Sequence, residues 1–272
     1  PIGEINKAET CISDLQKQDL RVVIDIENFD PEYIRQLLPI LSSKGLRFAR
    51  IKMSNFYGGN RYKQPEFKKW FGEFIEQLLG LLPELQSHNV MLLIENHQDL
   101  GADDLIQIIG ATSADYIGIT WDMGNSLSIS DTPKTFLKKS IGFIGNVHLK
   151  DYRLYRSQEG YYLSRCALGE GVVQFGPLLK RLVRYRKSFP MAIELGSHKS
   201  RHSDIYKAAY WEAYDTFTVA EKIDFFSFLN QNTLDGDNWM TPWERNLTGQ
   251  EIIASEMNEF EQSISFLKKL KI

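Results

Sequence analysis

The chain has 272 residues, of which 43% are hydrophobic and 25% are charged, and its formal net charge is -3. This length suits a single α/β barrel, and the apolar content is sufficient for a sizeable core. The balanced charge argues against nucleic acid as a partner, and no apolar run reaches the roughly 18 residues that a membrane span needs.

Six short apolar runs, rich in isoleucine and valine, recur along the chain with helical patterns between them. Continuous runs of this kind are typical of parallel strands that are buried on both faces. Strands that alternate with helices imply a parallel sheet. The predicted strands cover residues 20–28, 46–53, 90–95, 116–122, 144–150 and 191–195.

Helices are predicted between these strands. Asp30 is a favourable N-cap, and Pro31 follows it at the first helical position. The apolar residues after Pro31 recur at helical spacing. Residues 65–86 and 175–186 show the same periodicity, so they complete the alternation of strands and helices.

The C-terminal part of the chain has a different composition. Residues 204–230 are predicted to be helical and are unusually aromatic, and residues 231–246 form a polar loop. A capping box at Thr248 opens a final amphipathic helix. We therefore predict one domain over residues 1–272, with residues 196–249 as a helical, aromatic insertion between the last strand and the last helix.

Four of the predicted strands end in an acid or a histidine, namely Glu95, Asp122, His148 and Glu194. All strands of a parallel barrel open on the same face at their carboxyl ends, so these side chains should converge. Any one of them could simply be solvated or ion-paired, but four in register call for a shared cation. Three carboxylates and one imidazole suit Mn²⁺ or Mg²⁺, with Co²⁺ or Zn²⁺ as alternatives.

The motifs ENH, DxGNS, VHLKD, GEG and IEL occur in this order between residues 90 and 195. Together they resemble the sugar phosphate isomerase/epimerase superfamily, the xylose isomerase-like TIM barrels, and within it the 3-oxo-isoapionate decarboxylase-like members. The resemblance implies a (β/α)8 barrel in which Glu95, Asp122, His148 and Glu194 bind a divalent metal. It also implies that Glu95 and Glu194 act as the catalytic acid/base pair.

The N-terminal part departs from this family pattern. The resemblance would place Glu95 on the fifth strand of the barrel, but only two predicted strands precede the strand that carries it. We therefore expect one or two N-terminal βα units to be missing or atypical. Either the chain begins downstream of the first barrel strand, or the barrel closes in an unusual way.

Further polar residues near the predicted strand ends are candidates for substrate binding, and each has a simpler alternative. His97 could bind substrate or orient a metal ligand, and Asn125 could hold a substrate hydroxyl or stabilise a turn. Lys150 could bind a carboxylate or pair with an acid. Arg156 could clamp a carboxylate or lie at the surface.

A basic run follows Glu194 and contains His198, Lys199, Arg201 and His202. A solvated loop is the favoured interpretation of this run, and a phosphate site is the alternative.

These expectations define a reaction class. A divalent metal that chelates a substrate carbonyl makes the neighbouring C–H acidic, and a carboxylate can then remove its proton to form an enediolate. We expect a sugar isomerase or epimerase that acts on a small keto-sugar or sugar acid. The second hypothesis is a lyase of the same superfamily, either a decarboxylase of a 3-oxo sugar acid or a dehydratase. The third is a non-catalytic binding subunit.

The expected setting follows from the remaining features of the chain. The two cysteines, Cys11 and Cys166, form neither a metal-binding spacing nor a disulfide framework, so a reducing cytoplasm is expected. The expected partner is a carbohydrate substrate, with neither nucleic acid nor a membrane. The aromatic C-terminal segment offers a surface for a homodimer.

Overall fold

The structure, a computed structural model, describes residues 5–19, 21–195 and 199–271. The strands are β1 (Ile24–Ile26), β2 (Phe48–Ile51), β3 (Met91–Glu95), β4 (Ile117–Asp122), β5 (Ile144–Leu149), β6 (Asp151–Arg156), β7 (Tyr161–Cys166), β8 (Met191–Ile193), β9 (Arg201–Ser203) and β10 (Thr233–Leu234). The helices are α1 (Ile5–Lys17), α2 (Pro31–Ser43), α3 (Phe67–His88), α4 (Ala102–Ala111), α5 (Pro133–Ser140), α6 (Phe175–Tyr185), α7 (Ala208–Glu212), α8 (Val219–Asn232) and α9 (Gly249–Lys269).

The main sheet is a curled half-barrel of six strands in the order β1-β2-β3-β4-β5-β8. Every neighbouring pair in it is parallel. Each strand corresponds to one of the six predicted runs, so the α/β barrel class is confirmed. The first strand is shorter than predicted and begins at Ile24, while Leu20 lies outside the described residues.

Local sequence explains the helix boundaries. The Asp30 carboxylate accepts the backbone N–H groups of Glu32 and Tyr33 at the start of α2, as an N-cap should. α3 ends at Asn89, which adopts the left-handed conformation. The apolar faces of these helices pack on the sheet in one continuous core.

Two glycines let a large side chain fill the barrel interior. Leu93 is fully buried, and it lies opposite Gly118 on the neighbouring strand. A Cβ added at Gly118 would lie 2.8 Å from Leu93 Cδ2, and one added at Gly145 would lie 2.7 Å from the same atom. The space that Leu93 occupies therefore depends on the absence of side chains at both positions.

A second sheet, in the order β10-β6-β7-β9, was not predicted. The chain turns after Lys150 into an antiparallel hairpin of β6 and β7, and Arg156 lies at the end of β6. β9 extends this hairpin, again antiparallel. The alternation in DYRLYR and the glycine at the turn, Gly160, are the sequence signals that indicate it.

The predicted helix over residues 204–230 is also wrong as one continuous element. It is divided into α7 and α8, because Thr218 starts a new helix with a capping box that Glu221 completes. The predicted capping box at Thr248 is confirmed at the start of α9. Within the described residues, no helix combines the length and the apolar character that crossing a membrane would require.

Candidate active site

The four predicted metal ligands converge at the carboxyl end of the main sheet. Glu95 ends β3, Asp122 ends β4, His148 lies in β5, and Glu194 directly follows β8. Asp122 and His148 are register partners on adjacent strands. Each of the four residues offers a ligand atom within 4.8 Å of the ligand atoms of the others.

The imidazole of His148 lies between the two glutamates. Its Nδ1 is 2.8 Å from Glu194 Oε2 and 3.5 Å from Glu95 Oε2. Glu95 comes from β3 and Glu194 from the end of β8, and β4 and β5 separate these strands in the sheet. The two carboxylates therefore reach the cluster from strands on either side of β4 and β5.

Two cations accompany the carboxylates. Lys150 Nζ lies 2.8 Å from Asp122 Oδ2 and 2.7 Å from Glu194 Oε1. On the other side, the guanidinium of Arg50 bonds to Glu95 and also to Asp25. Glu95 and Asp122 are fully buried, so these cations offset part of the cost of burying two negative charges.

Burial and mutual repulsion shift the pKa values of the cluster. Burial, together with repulsion from Glu194 and Glu95, raises the pKa of Asp122 to about 7, although Lys150 opposes this. Burial would raise the pKa of Glu95 as well, but His148 and Arg50 hold it at about 2. Burial acts to lower the pKa of His148, while its bonds to Glu194 and Glu95 raise it to about 10.

This donor set fits a divalent cation. Three carboxylates and an imidazole face a common point, and Glu95 and Asp122 are fully buried there. A protonated His148 between two carboxylates takes the electrostatic place that a metal would fill, and metal binding would release that proton. These four residues form a candidate divalent-metal site.

The ENH and DMGN motifs have a structural explanation at Asp122. Asp122 Oδ1 accepts the backbone N–H groups of Gly124 at 3.0 Å and Asn125 at 2.9 Å. Asn96 accepts the backbone N–H of Asp122 at 2.7 Å and donates its amide to the Asp122 carbonyl at 2.9 Å. These bonds orient the Asp122 carboxylate, and its second oxygen, Oδ2, lies beside the ammonium group of Lys150.

Three of the four predicted substrate residues lie at this cluster. Asn125 donates its amide to Glu95 Oε1 at 3.2 Å and accepts the hydroxyl of Tyr152 at 3.0 Å, and Lys150 contacts two of the acids. His97 borders the cleft above them and packs edge-on against Tyr57, with ring centroids 4.7 Å apart.

The structure does not bring Arg156 to the cluster. This residue ends β6, its side chain is half exposed, and it pairs with Asp235 at 3.0 Å. It borders a separate cavity between the hairpin and α8. The surface alternative for Arg156 therefore describes its position.

The cleft over the cluster has a volume of about 420 Å³ and includes residues that the sequence analysis did not single out. Arg50 and Lys52 flank Ile51 at the end of β2, and charges at the end of a buried strand are the signal that could have found them. The hairpin contributes further lining, which depends on an unpredicted sheet. The missed residues include Arg50, Lys52, Tyr57, Gln98, Tyr152 and Arg165.

The basic run after Glu194 divides between two environments. Lys199 and Arg201 line the cleft. His202 instead bonds to Ser157 at 2.7 Å and lies 2.7 Å from Asp204. His198 lies outside the described residues.

His202 and Asp204 belong with Glu159 to a second acid–histidine cluster. Asp204 lies 2.8 Å from Lys63 Nζ and 3.4 Å from Lys207 Nζ. The Glu159 carboxylate also contacts Lys207, at 2.9 Å. Lysine side chains thus already compensate these carboxylates, and the cluster is a structural network that ties the hairpin turn to β9.

The fold and site define a class of protein. The family profile described as xylose isomerase-like TIM barrel matches residues 44–212, more than half of the chain. The chain belongs to the xylose isomerase-like TIM barrel family.

Relatives of similar sequence match only part of the chain. It is 26% identical to 3-oxo-isoapionate decarboxylase from Pectobacterium atrosepticum over 108 residues. This stretch is 39% of this chain and 39% of that enzyme. It is 24% identical over 125 residues to the uncharacterised protein YihM of Escherichia coli, which is 46% of this chain and 38% of YihM. The matches thus span less than half of these relatives.

Solved structures share the fold over most of the chain. A xylose isomerase domain protein from Planctomyces limnophilus superposes with a TM-score of 0.56 and 16% identity, over 85% of this chain and 86% of that one. Mannonate dehydratase from Streptococcus suis superposes with a TM-score of 0.57 and 11% identity, over 84% of this chain and 81% of that one. A xylose isomerase-like TIM barrel protein from Mycobacterium smegmatis, solved with magnesium, superposes with a TM-score of 0.53 and 15% identity. The superposition covers 82% of this chain and 79% of that one.

Proposed function

We propose that this protein is a divalent-metal-dependent isomerase or epimerase that acts on a small keto-sugar or sugar acid. The observation that carries the proposal is that Glu95 and Glu194 reach one four-residue cluster from strands that β4 and β5 separate. Proton transfer on carbon needs one group to remove a proton and a second to return it at another position or face. Two carboxylates that reach one cluster from separate strands provide two such groups.

Glu95, Asp122, His148 and Glu194 would hold the metal. When bound, a divalent metal would polarise the substrate carbonyl and offset the negative charge of the enediolate. Mn²⁺ and Mg²⁺ suit the carboxylate-rich donor set best.

The two glutamates differ in their exposure to the cleft. The Glu194 side chain is about one third exposed (35%) and reaches the cleft, whereas Glu95 is fully buried. Burial would raise the pKa of Glu194, but Lys150 and His148 hold it well below its usual range, so this carboxylate is ionised and can accept the substrate proton. Glu95, held by Arg50 and Asn125, is the second carboxylate, and it would return a proton only after taking one up, because its pKa of about 2 leaves it ionised.

A lyase is the second candidate, and the cations of the cleft favour it. A 3-oxo acid that loses CO₂ leaves the same kind of enolate, so one site can serve both reactions. Lys150, Arg50 and Lys52 border the cleft where a substrate carboxylate would have to lie. The partial similarity to a 3-oxo-isoapionate decarboxylase supports this alternative.

The first test is the metal content of the purified protein, measured by plasma mass spectrometry beside Glu194→Gln and His148→Ala. We expect about one divalent metal per chain in the wild type after incubation with Mn²⁺, and loss of metal in both variants. His88→Ala, at the end of α3, and Glu170→Gln, in an exposed loop, are matched controls that should retain metal. A wild-type protein that binds no metal would overturn the proposal.

The second test separates the two reactions. Keto-sugars and 3-oxo sugar acids are incubated with the Mn²⁺-loaded protein in D₂O, and products are followed by NMR. Deuterium incorporated at carbon without loss of CO₂ supports an isomerase or epimerase. Release of CO₂ supports the lyase instead.

A further inference from the structure

We infer that Arg201, with Lys199 and Arg165, forms an anion-binding subsite that selects substrates with a carboxylate or phosphate terminus. This inference rests on the proposed function, because it assigns the substrate class of the same cleft. The anionic group would lie at the mouth of the cleft, while the reacting carbons lie over the four-residue cluster.

The register of the second sheet places Arg201 on the cleft face. Arg201 of β9 is the cross-strand partner of Leu163 of β7. Side chains alternate between the two faces of a strand, so Leu163, Arg165 and Arg201 share one face. All three line the cleft. The next residue, His202, lies on the opposite face and packs against Tyr162, with ring centroids 4.4 Å apart.

Not every cation that lines the cleft is paired with a carboxylate of the described residues. Its lining includes six cationic side chains and three carboxylates. Arg50 and Lys150 are paired with cluster acids, and Lys52 lies 3.6 Å from Glu27. Among the described residues, Arg201 and Lys199 have no carboxylate within 4 Å, so their charges remain available for a ligand.

Two further contacts prepare these groups for binding. The guanidinium of Arg201 lies 4.2 Å from the centre of the Tyr57 ring, and Tyr57 packs against His97. This stacking orients the planar donor fork, which lowers the entropy cost of binding an anion. Arg165 contacts Glu259 through one nitrogen at 3.3 Å, but its buried Nε has no hydrogen-bond partner among the described residues.

A guanidinium binds carboxylate or phosphate with two parallel hydrogen bonds. The cleft at about 420 Å³ is large enough for a small linear sugar chain together with such a group. Neutral sugars would leave the half-buried Arg201 without a counter-charge. Selectivity should therefore follow the charge of the substrate terminus rather than its chain length.

The test is calorimetric titration of the Mn²⁺-loaded protein with three probes of equal carbon number: ribitol, ribitol 5-phosphate and ribonate. We expect the dissociation constant of at least one anionic probe to be about tenfold or more below that of ribitol. This ratio corresponds to the free energy of one charge-assisted hydrogen bond. Comparison of ribitol 5-phosphate with ribonate shows whether phosphate or carboxylate is preferred. Equal binding of all three probes would overturn the inference.

Variants assign the effect to the subsite. Arg201→Ala should remove most of the preference for the anionic probe, and Arg201→Lys should retain part of it, because the charge remains but the fork is lost. Arg184→Ala, an exposed position on α6, is the matched control and should bind like the wild type. An unchanged preference in Arg201→Ala would overturn the assignment.

Metal binding keeps the two proposals separable. If the protein binds Mn²⁺ but shows no preference for anions, the proposal of an anion-binding subsite is wrong, and the proposed function is not contradicted. If it binds no metal, the proposed function fails, and the phosphate probe titrated into the metal-free protein still tests the subsite.

Discussion

Lys150 Nζ lies 2.7 Å from Glu194 Oε1, and the same ammonium lies 2.8 Å from Asp122 Oδ2. One buried cation thus joins two of the proposed metal ligands. Burial would lower the pKa of Lys150, but Asp122 and Glu194 raise it well above its usual value, so the side chain remains charged. It compensates these acids and, with Arg50, limits the repulsion between three carboxylates.

The first prediction concerns this compensation. Lys150→Met should lower the free energy of unfolding of the metal-free protein by about 3–5 kcal/mol, because buried carboxylates lose their partner. Addition of Mn²⁺ should raise the melting temperature of Lys150→Met more than that of the wild type. Scanning calorimetry with and without Mn²⁺ measures both effects. Lys134→Met, at an exposed site on α5, is the control, and equal Mn²⁺ shifts in all three proteins would contradict the prediction.

The second prediction concerns Asp151, which organises the GEG loop. Its Oδ2 accepts the backbone N–H groups of Gly169 and Gly171, and its Oδ1 accepts those of Tyr152 and Val173. In Asp151→Asn an amide NH₂ would face two N–H donors, so we expect a loss of about 2–5 kcal/mol in stability.

Urea denaturation of Asp151→Asn measures this loss. Glu170→Gln in the same loop changes only a half-exposed pair with Arg153, so it should cost less than about 1 kcal/mol. A similar, small effect of both substitutions would show that Asp151 does not organise the loop.

The third prediction is a pH dependence of stability. Asp131 is buried before α5, and burial raises the pKa of its carboxyl from 3.8 to about 8. Between about pH 4 and pH 8 the folded state therefore binds more protons than the unfolded state, and stability falls as the pH rises. Asp131→Asn removes this penalty without a large change in shape.

Denaturation at several pH values tests the third prediction. Asp131→Asn should be more stable than the wild type at pH 8 by more than about 1 kcal/mol, with a much smaller difference near pH 4. A difference between the two proteins that is constant with pH would contradict this account.

The fourth prediction concerns the protonation of His97. Burial lowers its pKa to about 4, and the neighbouring cations, among them Lys150 and Lys52, act in the same direction. A bound metal would add positive charge and lower it further. The ¹⁵N shifts of the His97 ring should therefore show a neutral imidazole from pH 5.5 to pH 8. A titration near pH 6.5, assigned through loss of the signal in His97→Gln, would contradict it.

The sequence by itself determined the parallel sheet and the convergence of the four candidate metal ligands. The apolar runs that end in Glu95, Asp122 and His148 are local patterns, and parallel strands must open on one face, so convergence followed without knowledge of the tertiary contacts. The boundaries of α2 and α9 were likewise predictable, because the caps at Asp30 and Thr248 act within one helical turn.

Only the tertiary structure decided how the cleft is lined. Arg201 and His202 belong to the same basic run, but one faces the cleft and the other faces Tyr162. Strand periodicity assigns neighbours to opposite faces only once the pairing partner is known, and β9 pairs with β7, which is distant in sequence. The sequence left the surface and cleft positions of Arg156 open for the same reason, since its direction depends on the β6–β7 hairpin.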